Sequence, residues 1–298
     1  MKEVNKTEDK INFILPDFLN YDACAYHLST CRNHPEIFKD NLNIFGFRGM
    51  FPGCKWCEKD KKFDVLQLSE QTLRDYRDKY KSLNTHLFIE FNKEVVKEKD
   101  YQDEYCNLIL DLFNDKRNYV YCKDKNLSNY IKENYHQINI IGDYDNNLDK
   151  SNKLTLVSPE HNRDKNIFDN TEYNLMIYPD GGYIRDRRWM FKHTIKDSTL
   201  QPINPKKDRY YSKEHGVSFY EMKNKEEYNL YLKWEDIYEY KRKAINYFML
   251  SGIGVYNIAS IINLVDFIYK DEYKADGRAN HFYKLFEKIK NNFMGNQY

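Results

Sequence analysis

An α/β fold of eight parallel strand and helix units closed into a barrel is what this chain predicts. Three observations predict it. Strand-length apolar runs recur eight times, most are followed by a polar loop and an amphipathic segment, and 298 residues suffice for one domain of that size. Parallel neighbours need a crossover that an amphipathic helix can supply, so this alternation favours a parallel sheet, and eight units favour closure.

In order, the strand-length runs are Ile11–Leu15, Leu42–Phe47, Thr85–Phe91, Asn118–Cys122, Ile138–Ile141, Lys153–Val157, Asn174–Tyr178 and Gly252–Ile258. Helices are expected over Tyr21–Asn33, Ser69–Leu83, Tyr101–Asn114, Leu127–Tyr135, Trp234–Leu250 and Ser260–Tyr269. Ser69 offers a side-chain acceptor to the first free N–H groups of its helix, although Thr72 stands where a capping box prefers Glu or Gln. In the third helix Tyr105, Leu108, Ile109, Leu112 and Phe113 recur at helical spacing and predict one apolar face toward the sheet. Residues 1–298 are read as a single TIM-like (β/α)8 barrel domain, with a basic insertion over 181–233 after strand seven and a C-terminal helical tail over 271–298. Phe282, Leu285, Phe286, Ile289 and Phe293 give that tail its helical period.

Composition narrows the class. With 41% hydrophobic, 31% charged and 16% aromatic residues, the chain is neither disordered nor collagen-like. The Asn, Lys, Tyr and Ile bias fits an AT-rich coding genome, so the 27 tyrosines are discounted as a functional signal. A net charge of +1 excludes a histone-like binder of nucleic acid. The opening MKEVNKTEDK has no apolar core, and the greasy stretch Ala244–Ile268 is broken by Asn246, Gly252, Gly254, Asn257, Ser260 and Asn263. No secretory signal and no membrane association are expected, and the location expected is the cytoplasm. Six cysteines are too sparse for a disulfide scaffold and are expected as reduced thiols unless they hold metal.

The segments NHPEIFKDNLNIFGFRGMFPGCKW, EFN, DEYCN, NYVYCKDKNLSNYIKENY and GIGVYNI resemble a group of uncharacterised bacterial and phage proteins. That group is distantly related to the U32 peptidase-like TIM-barrel superfamily. The likeness covers about two thirds of the chain and lies mostly in its framework. It implies a TIM barrel with a site at the mouth. The pattern of that family places Asn-Gly-Gly-Arg after a tryptophan, whereas Cys57, Glu58, Lys59 and Asp60 follow Trp56 here. Paired cysteines after strand seven are replaced by Pro179, Asp180, Gly181 and Gly182, and Tyr256, Asn257 and Ser260 do not reproduce its late motif. The resemblance thus implies an inherited fold with altered or lost chemistry.

In a parallel barrel, reacting groups gather just beyond the strand C-termini. That rule selects Glu90, Asp143, Glu160 and Asp180 as candidate acids and bases, and Arg48, Trp56, Asn92 and Asn257 as substrate-binding residues. Asp145 and His161 fall at the same rim. Charged residues also populate ordinary solvated loops, so each position carries both readings. Between Gly181 and Lys213 nine basic side chains face three acidic ones, on a chain whose net charge is only +1. Arg185, Arg187, Arg188 and His193 in this stretch are candidates for holding an anion, and Trp189, Phe191, Tyr210 and Tyr211 could stack on bases. A solvated basic lobe paired with the acidic remainder is the alternative.

Cys54-Lys-Trp-Cys57 has the two-residue spacing of a zinc turn. Cys24, His27, Cys31 and His34 lie on one helix face, but Cys24 and Cys31 would be about 10 Å apart along the axis, too far for one tetrahedral centre. Zinc or another divalent cation at Cys54 and Cys57 is weighed against small buried thiols. No phosphate-binding GxxxxGK loop and no GxSxG elbow occurs in the sequence. Two functions remain: an enzyme acting on an anionic substrate, derived from nucleic acid or peptide, at the mouth, and a catalytically degenerate nucleic-acid-binding or structural protein that works through the basic insertion. A steep salt dependence of nucleic-acid affinity separates them.

Overall fold

The structure, a computed structural model, describes residues 10–57, 66–145, 149–162, 164–169, 173–180, 232–250, 264–265 and 267–277. Eight strands make a closed barrel in chain order: β1 (Ile11–Pro16), β2 (Leu42–Gly49), β3 (His86–Phe91), β4 (Tyr119–Cys122), β5 (Asn139–Asp143), β6 (Leu154–Leu156), β7 (Leu175–Ile177) and β8 (Tyr247–Met249). Every neighbouring pair is parallel, and β8 closes the ring between β7 and β1 through Met176↔Tyr247 and Asn12↔Tyr247. Strand residues alternate between two apolar sets, because successive side chains point to opposite faces of a sheet covered on both sides. Ile14, Phe88, Tyr119, Tyr121, Ile141, Leu154, Leu156, Met176, Tyr178 and Met249 fill the barrel. Phe13, Leu15, Phe47, Ile89, Phe91, Val120, Cys122, Ile177 and Phe248 face the outer layer.

One irregularity aims the second strand. Phe13 pairs with Ile44 but Ile14 pairs with Gly46, so Phe45 is an extra residue. Its ring lies near the barrel floor, 4.1 Å from the His86 ring and 5.2 Å from that of Tyr247. Gly46 is required by the close approach that follows, since a Cβ there would stand 2.5 Å from the His86 carbonyl oxygen. After the shift Arg48 lies alongside Phe88, and its guanidinium reaches the carboxylate of Glu90.

The outer layer is formed by α1 (Tyr21–Asn33), α2 (Glu70–Ser82), α3 (Glu104–Phe113), α4 (Lys125–Asn134), α5 (Lys165–Phe168) and α6 (Trp234–Arg242). Ser69 caps α2 as expected, accepting from the Thr72 N–H at 3.2 Å. Asp103 caps α3 through the Cys106 N–H, and Asp124 caps α4 through Asn126 and Leu127 while also accepting from Val96 N–H at 2.7 Å. The last bond ties the loop after β3 to the start of α4. The buried side of α3 consists of Tyr105, Cys106, Ile109, Leu110 and Phe113. It is turned from the expected stripe, leaving Leu108 and Leu112 half-buried, because α3 packs on α2 as well as on the barrel.

The end of the barrel differs from the sequence expectation. Strand eight is Tyr247–Met249, within the segment expected as a helix from Trp234 to Leu250, and α6 stops at Arg242. Ala244 sets the boundary, with φ +63, a left-handed conformation that ends the helix. Beyond it Phe248 turns outward and Met249 inward, the period of a strand. An L-residue in this conformation is strained, so Ala244→Gly is expected to raise the unfolding free energy by roughly 0.5–1 kcal/mol in urea titrations, and a loss of stability would contradict the strain.

Most of the predicted insertion and the tail helix over 278–298 lie outside the described residues, as does the run 252–258. The chain leaves β7 through Pro179 and is described again at Leu232, whose N–H donates to the Pro179 carbonyl at 2.8 Å. Both ends of the basic excursion therefore meet at the C-terminal rim of β7. Near the carboxyl end of the chain, Lys39 N–H donates to Ile268 O and Lys270 N–H to Ile37 O, covering the connection between α1 and β2. Among the described residues no helix is long and apolar enough to cross a membrane.

Candidate functional site at the barrel mouth

The barrel interior is layered. At its floor Asn43 donates to Asn12 at 2.8 Å, and Phe45, His86, Tyr119 and Tyr247 pack together. Above them Phe88 stacks on Tyr119 with centroids 4.6 Å apart. This filling makes the interior a packed core rather than a channel. Buried polar side chains collect above it, at the C-terminal ends of the strands: Arg48 from β2, Glu90 from β3, Tyr121 from β4 and Asp143 from β5.

His86 shows what the floor does to a titratable group. Burial pushes its imidazole below the usual value of 6.5, against the opposing effect of its 2.6 Å contact with the Arg117 carbonyl. The neighbouring Arg117 and Lys153 charges also lower it, and that of Asp115 raises it. The unfolded chain thus binds this proton more readily than the folded one. Stability from this residue is complete above pH 6.5 and is lost as the pH falls below that value. Unfolding free energies measured in urea between about pH 7.5 and pH 5 are expected to fall less steeply for His86→Asn than for the parent chain.

At the mouth the Arg48 guanidinium grips Glu90 with two parallel bonds, Nε to Oε1 at 2.7 Å and Nη2 to Oε2 at 2.5 Å. Its third nitrogen, Nη1, donates to the Leu250 carbonyl at 3.3 Å, and the group lies 5.7 Å from the Tyr178 ring centroid. Arg48 and Glu90 are 5% and 4% exposed. A buried bidentate pair fixes both partners, so neither charge is free to engage a substrate alone. Glu90, expected as an acid or base, and Arg48, expected as a substrate-binding residue, are thus bonded to each other at the mouth.

Asp143 is arranged differently. Its Oδ2 accepts from the Tyr121 hydroxyl at 2.6 Å and its Oδ1 from the Asp145 N–H at 3.0 Å. Asp145 in turn accepts from the Ser158 hydroxyl at 2.6 Å and contacts His161 Nε2 at 3.0 Å. A hydrogen-bonded chain thus runs from inside the barrel, across β4 and β5, to the loop after β6. Asp180 is 1% exposed at the point where the chain leaves β7. Nearby, Asn162 donates to the Tyr178 carbonyl at 2.6 Å, and the Tyr240 hydroxyl bonds the Asn162 carbonyl, joining this rim to α6.

The other expected residues separate into three groups. Asn92 is half-buried just beyond β3, near the rim, and Glu160 has its backbone in a 3-10 turn, Pro159–His161. Trp56 does not face the mouth. Its ring is fully buried in the outer layer, edge-on to Phe91 at 5.1 Å and Tyr130 at 6.2 Å, and its Nε1 donates to the Asp100 carbonyl at 2.7 Å. The proline-bearing loop carries Trp56 outward, so it serves packing rather than substrate contact. Arg185, Arg187, Arg188, His193 and Asn257 lie outside the described residues.

Cys54 and Cys57 are buried in the same outer layer with Cys106 and Cys122. Burial raises the Cys54 and Cys122 thiols, and a hydrogen bond with Cys54 followed by burial raises Cys106, so all three stay protonated. Cys57 donates to the Glu90 carbonyl at 3.4 Å. Among the described residues no group of three or more His, Cys, Asp and Glu side chains is placed to hold a metal ion. The pair instead packs behind the strand that carries Glu90.

Sequence reasoning found Arg48, Glu90, Asp143 and Asp180 from their position after strands, but passed over Tyr121 and Tyr178. The inward period-two positions of β4, and of the segment from Leu175 that continues past β7 to Tyr178, carried that signal, and it was lost because tyrosine is abundant throughout the chain. No protein-family model, curated protein or solved structure gives a significant match to this chain.

Proposed function

We propose that this chain is a TIM-barrel enzyme, distantly related to the U32 peptidase-like superfamily, that acts on an anionic substrate derived from nucleic acid or peptide. The observation that carries the reading is the layer of buried polar groups, Arg48, Glu90, Tyr121 and Asp143, on top of an otherwise apolar interior. Burying polar and charged side chains there costs stability, and such costs concentrate at working sites. In this reading Asp143, held by Tyr121, exchanges the proton, Asp180 lines the rim, and the Arg48–Glu90 pair keeps the mouth in shape. Arg185, Arg187 and Arg188 supply the positive charge, since the excursion that carries them starts and ends beside Asp180 at Pro179 and Leu232.

Ligand-induced stabilisation tests the proposal. Inorganic phosphate, glycerol phosphate and a short acidic peptide are titrated against thermal unfolding of the full chain. A ligand at 100 times its Kd stabilises by about 2.7 kcal/mol. At least one probe is expected to raise the midpoint, and the rise should vanish when Arg185, Arg187 and Arg188 are replaced together by alanine. No response to any of the three would overturn the proposal. The second reading, nucleic-acid binding through the insertion, rests on its nine basic against three acidic side chains between Gly181 and Lys213. A single-stranded oligonucleotide whose affinity collapses with added salt, unaffected by Asp143→Asn, would favour it.

A further inference from the structure

Asp145, Ser158 and His161 form a second polar cluster on the rim, between the ends of β5 and β6, outside the Arg48–Glu90 pair. Both Asp145 oxygens are used: Oδ2 by the Ser158 hydroxyl at 2.6 Å, and Oδ1 by His161 Nε2 at 3.0 Å. The backbone holds the partners in place. Asp145 N–H is tied to Asp143 at 3.0 Å, and a 3-10 turn fixes the histidine through its own N–H to the Ser158 carbonyl at 3.0 Å. The side chains of Asp145 and His161 are each 31% exposed, so the cluster is open to a bound molecule but is not free to swing. The Tyr144 ring, 6.2 Å from the imidazole, flanks it.

A carboxylate facing one ring nitrogen selects the tautomer that carries hydrogen there and leaves the other nitrogen with its lone pair. Here the hydrogen goes to Nε2. Among the described residues, Nδ1 has no hydrogen-bond partner. The hydroxyl of Ser158 donates to the carboxylate and not to the imidazole, so the serine is placed as a support for Asp145 rather than as a nucleophile activated by His161.

We propose that His161, oriented by Asp145, is a proton acceptor on the rim that serves the site reached by Asp143. The inference rests on the reading of the mouth as an enzyme site. In the step it performs, the O–H bond of a bound hydroxyl group or water breaks, its electron pair stays on oxygen, and the proton joins the Nδ1 lone pair. The resulting imidazolium is neutralised by Asp145, whose charge is already in place. Asp145 is a positioning residue, and Asp143, bonded to the Asp145 backbone and to Tyr121, couples the rim to the interior.

The test uses diethyl pyrocarbonate on the full chain at about pH 8, where free imidazole is neutral, with modification mapped by peptide mass spectrometry. His136, on the exposed surface, is the reference, and His27, 6% exposed, reports whether the fold is intact. His161 is expected to react at least about threefold faster than His136 despite its lower exposure, because a neighbouring carboxylate raises the nucleophilicity of the free nitrogen. Asp145→Asn should remove that excess while His27 stays protected. A His161 rate at or below that of His136, or one unchanged by Asp145→Asn, overturns the inference. Should the substitution expose His27, the tautomer of His161 in the unaltered chain decides: hydrogen on Nε2 supports the proposal and hydrogen on Nδ1 overturns it. A missing ligand response at the mouth with a fast His161 would instead defeat only the substrate reading.

Discussion

Replacing Glu90 by alanine is expected to lower the unfolding free energy by about 3–5 kcal/mol, the cost of breaking a buried bidentate ion pair from one side. Arg48 would keep its bond to the Leu250 carbonyl and its place near the Tyr178 ring, but its guanidinium, 5% exposed, would lose both bonds of the bidentate pair. Replacing both partners together, Arg48→Met with Glu90→Leu, should cost far less than Glu90→Ala, because neither member of the pair is then buried without the other. Urea titrations of the single and double replacements measure both effects. A single replacement costing less than about 1 kcal/mol would mean that water or another acid satisfies Arg48, and that the pair does not hold the mouth rigid.

Trp56→Ala should cost a comparable amount, about 3–5 kcal/mol, as for other large aromatic residues removed from a core. The ring is fully buried against Phe91 and Tyr130, and it fastens the loop after β2 to the turn before α3 through the Asp100 carbonyl. Trp56→Phe keeps most of the apolar contact but leaves that carbonyl without its donor, and is expected to cost about 1–3 kcal/mol. Both values come from denaturant midpoints and slopes. The phenylalanine variant should respond to phosphate, glycerol phosphate and the acidic peptide as the parent chain does. A loss of that response with little loss of stability would return Trp56 to the substrate-binding set.

Seven of the eight strands were legible in the sequence to within two residues at either end, because parallel strands buried on both faces read as short apolar runs between turns. Strand β8 was not. Its residues Tyr247, Phe248 and Met249 continue the apolar pattern of α6 without a break, and nothing in local composition distinguishes a helix that runs on from one that stops at Arg242. The positive φ of Ala244 makes that decision, and alanine gives no warning of it. The stripe predicted on α3 was turned for a similar reason: spacing identifies an amphipathic helix, while its packing against α2 sets which side is most covered.

The site divides along the same line. Position after a strand identified Glu90, Asp143 and Asp180 as rim residues, but it could not tell a carboxylate locked to an arginine from one held by a tyrosine. Arg48 and Glu90 are 42 residues apart in the chain, and Tyr121 and Asp143 are 22 apart. Likewise the spacing of Cys54 and Cys57 suits a metal turn equally well whether the thiols face a cavity or, as here, the outer layer.

What the sequence by itself determined is the alternation: which seven of the eight segments pair as strands, which segments cover them, and that a run of basic residues follows β7. These are local properties, carried by the period of apolar residues and by capping side chains. Only the tertiary structure decided the partners. The shift at Phe45, the close approach at Gly46 and the closure of β8 onto β1 bring Arg48 to Glu90, and the burial they create commits that pair to each other. Burial and direction are set by neighbours distant in the chain, and a linear pattern holds no record of either.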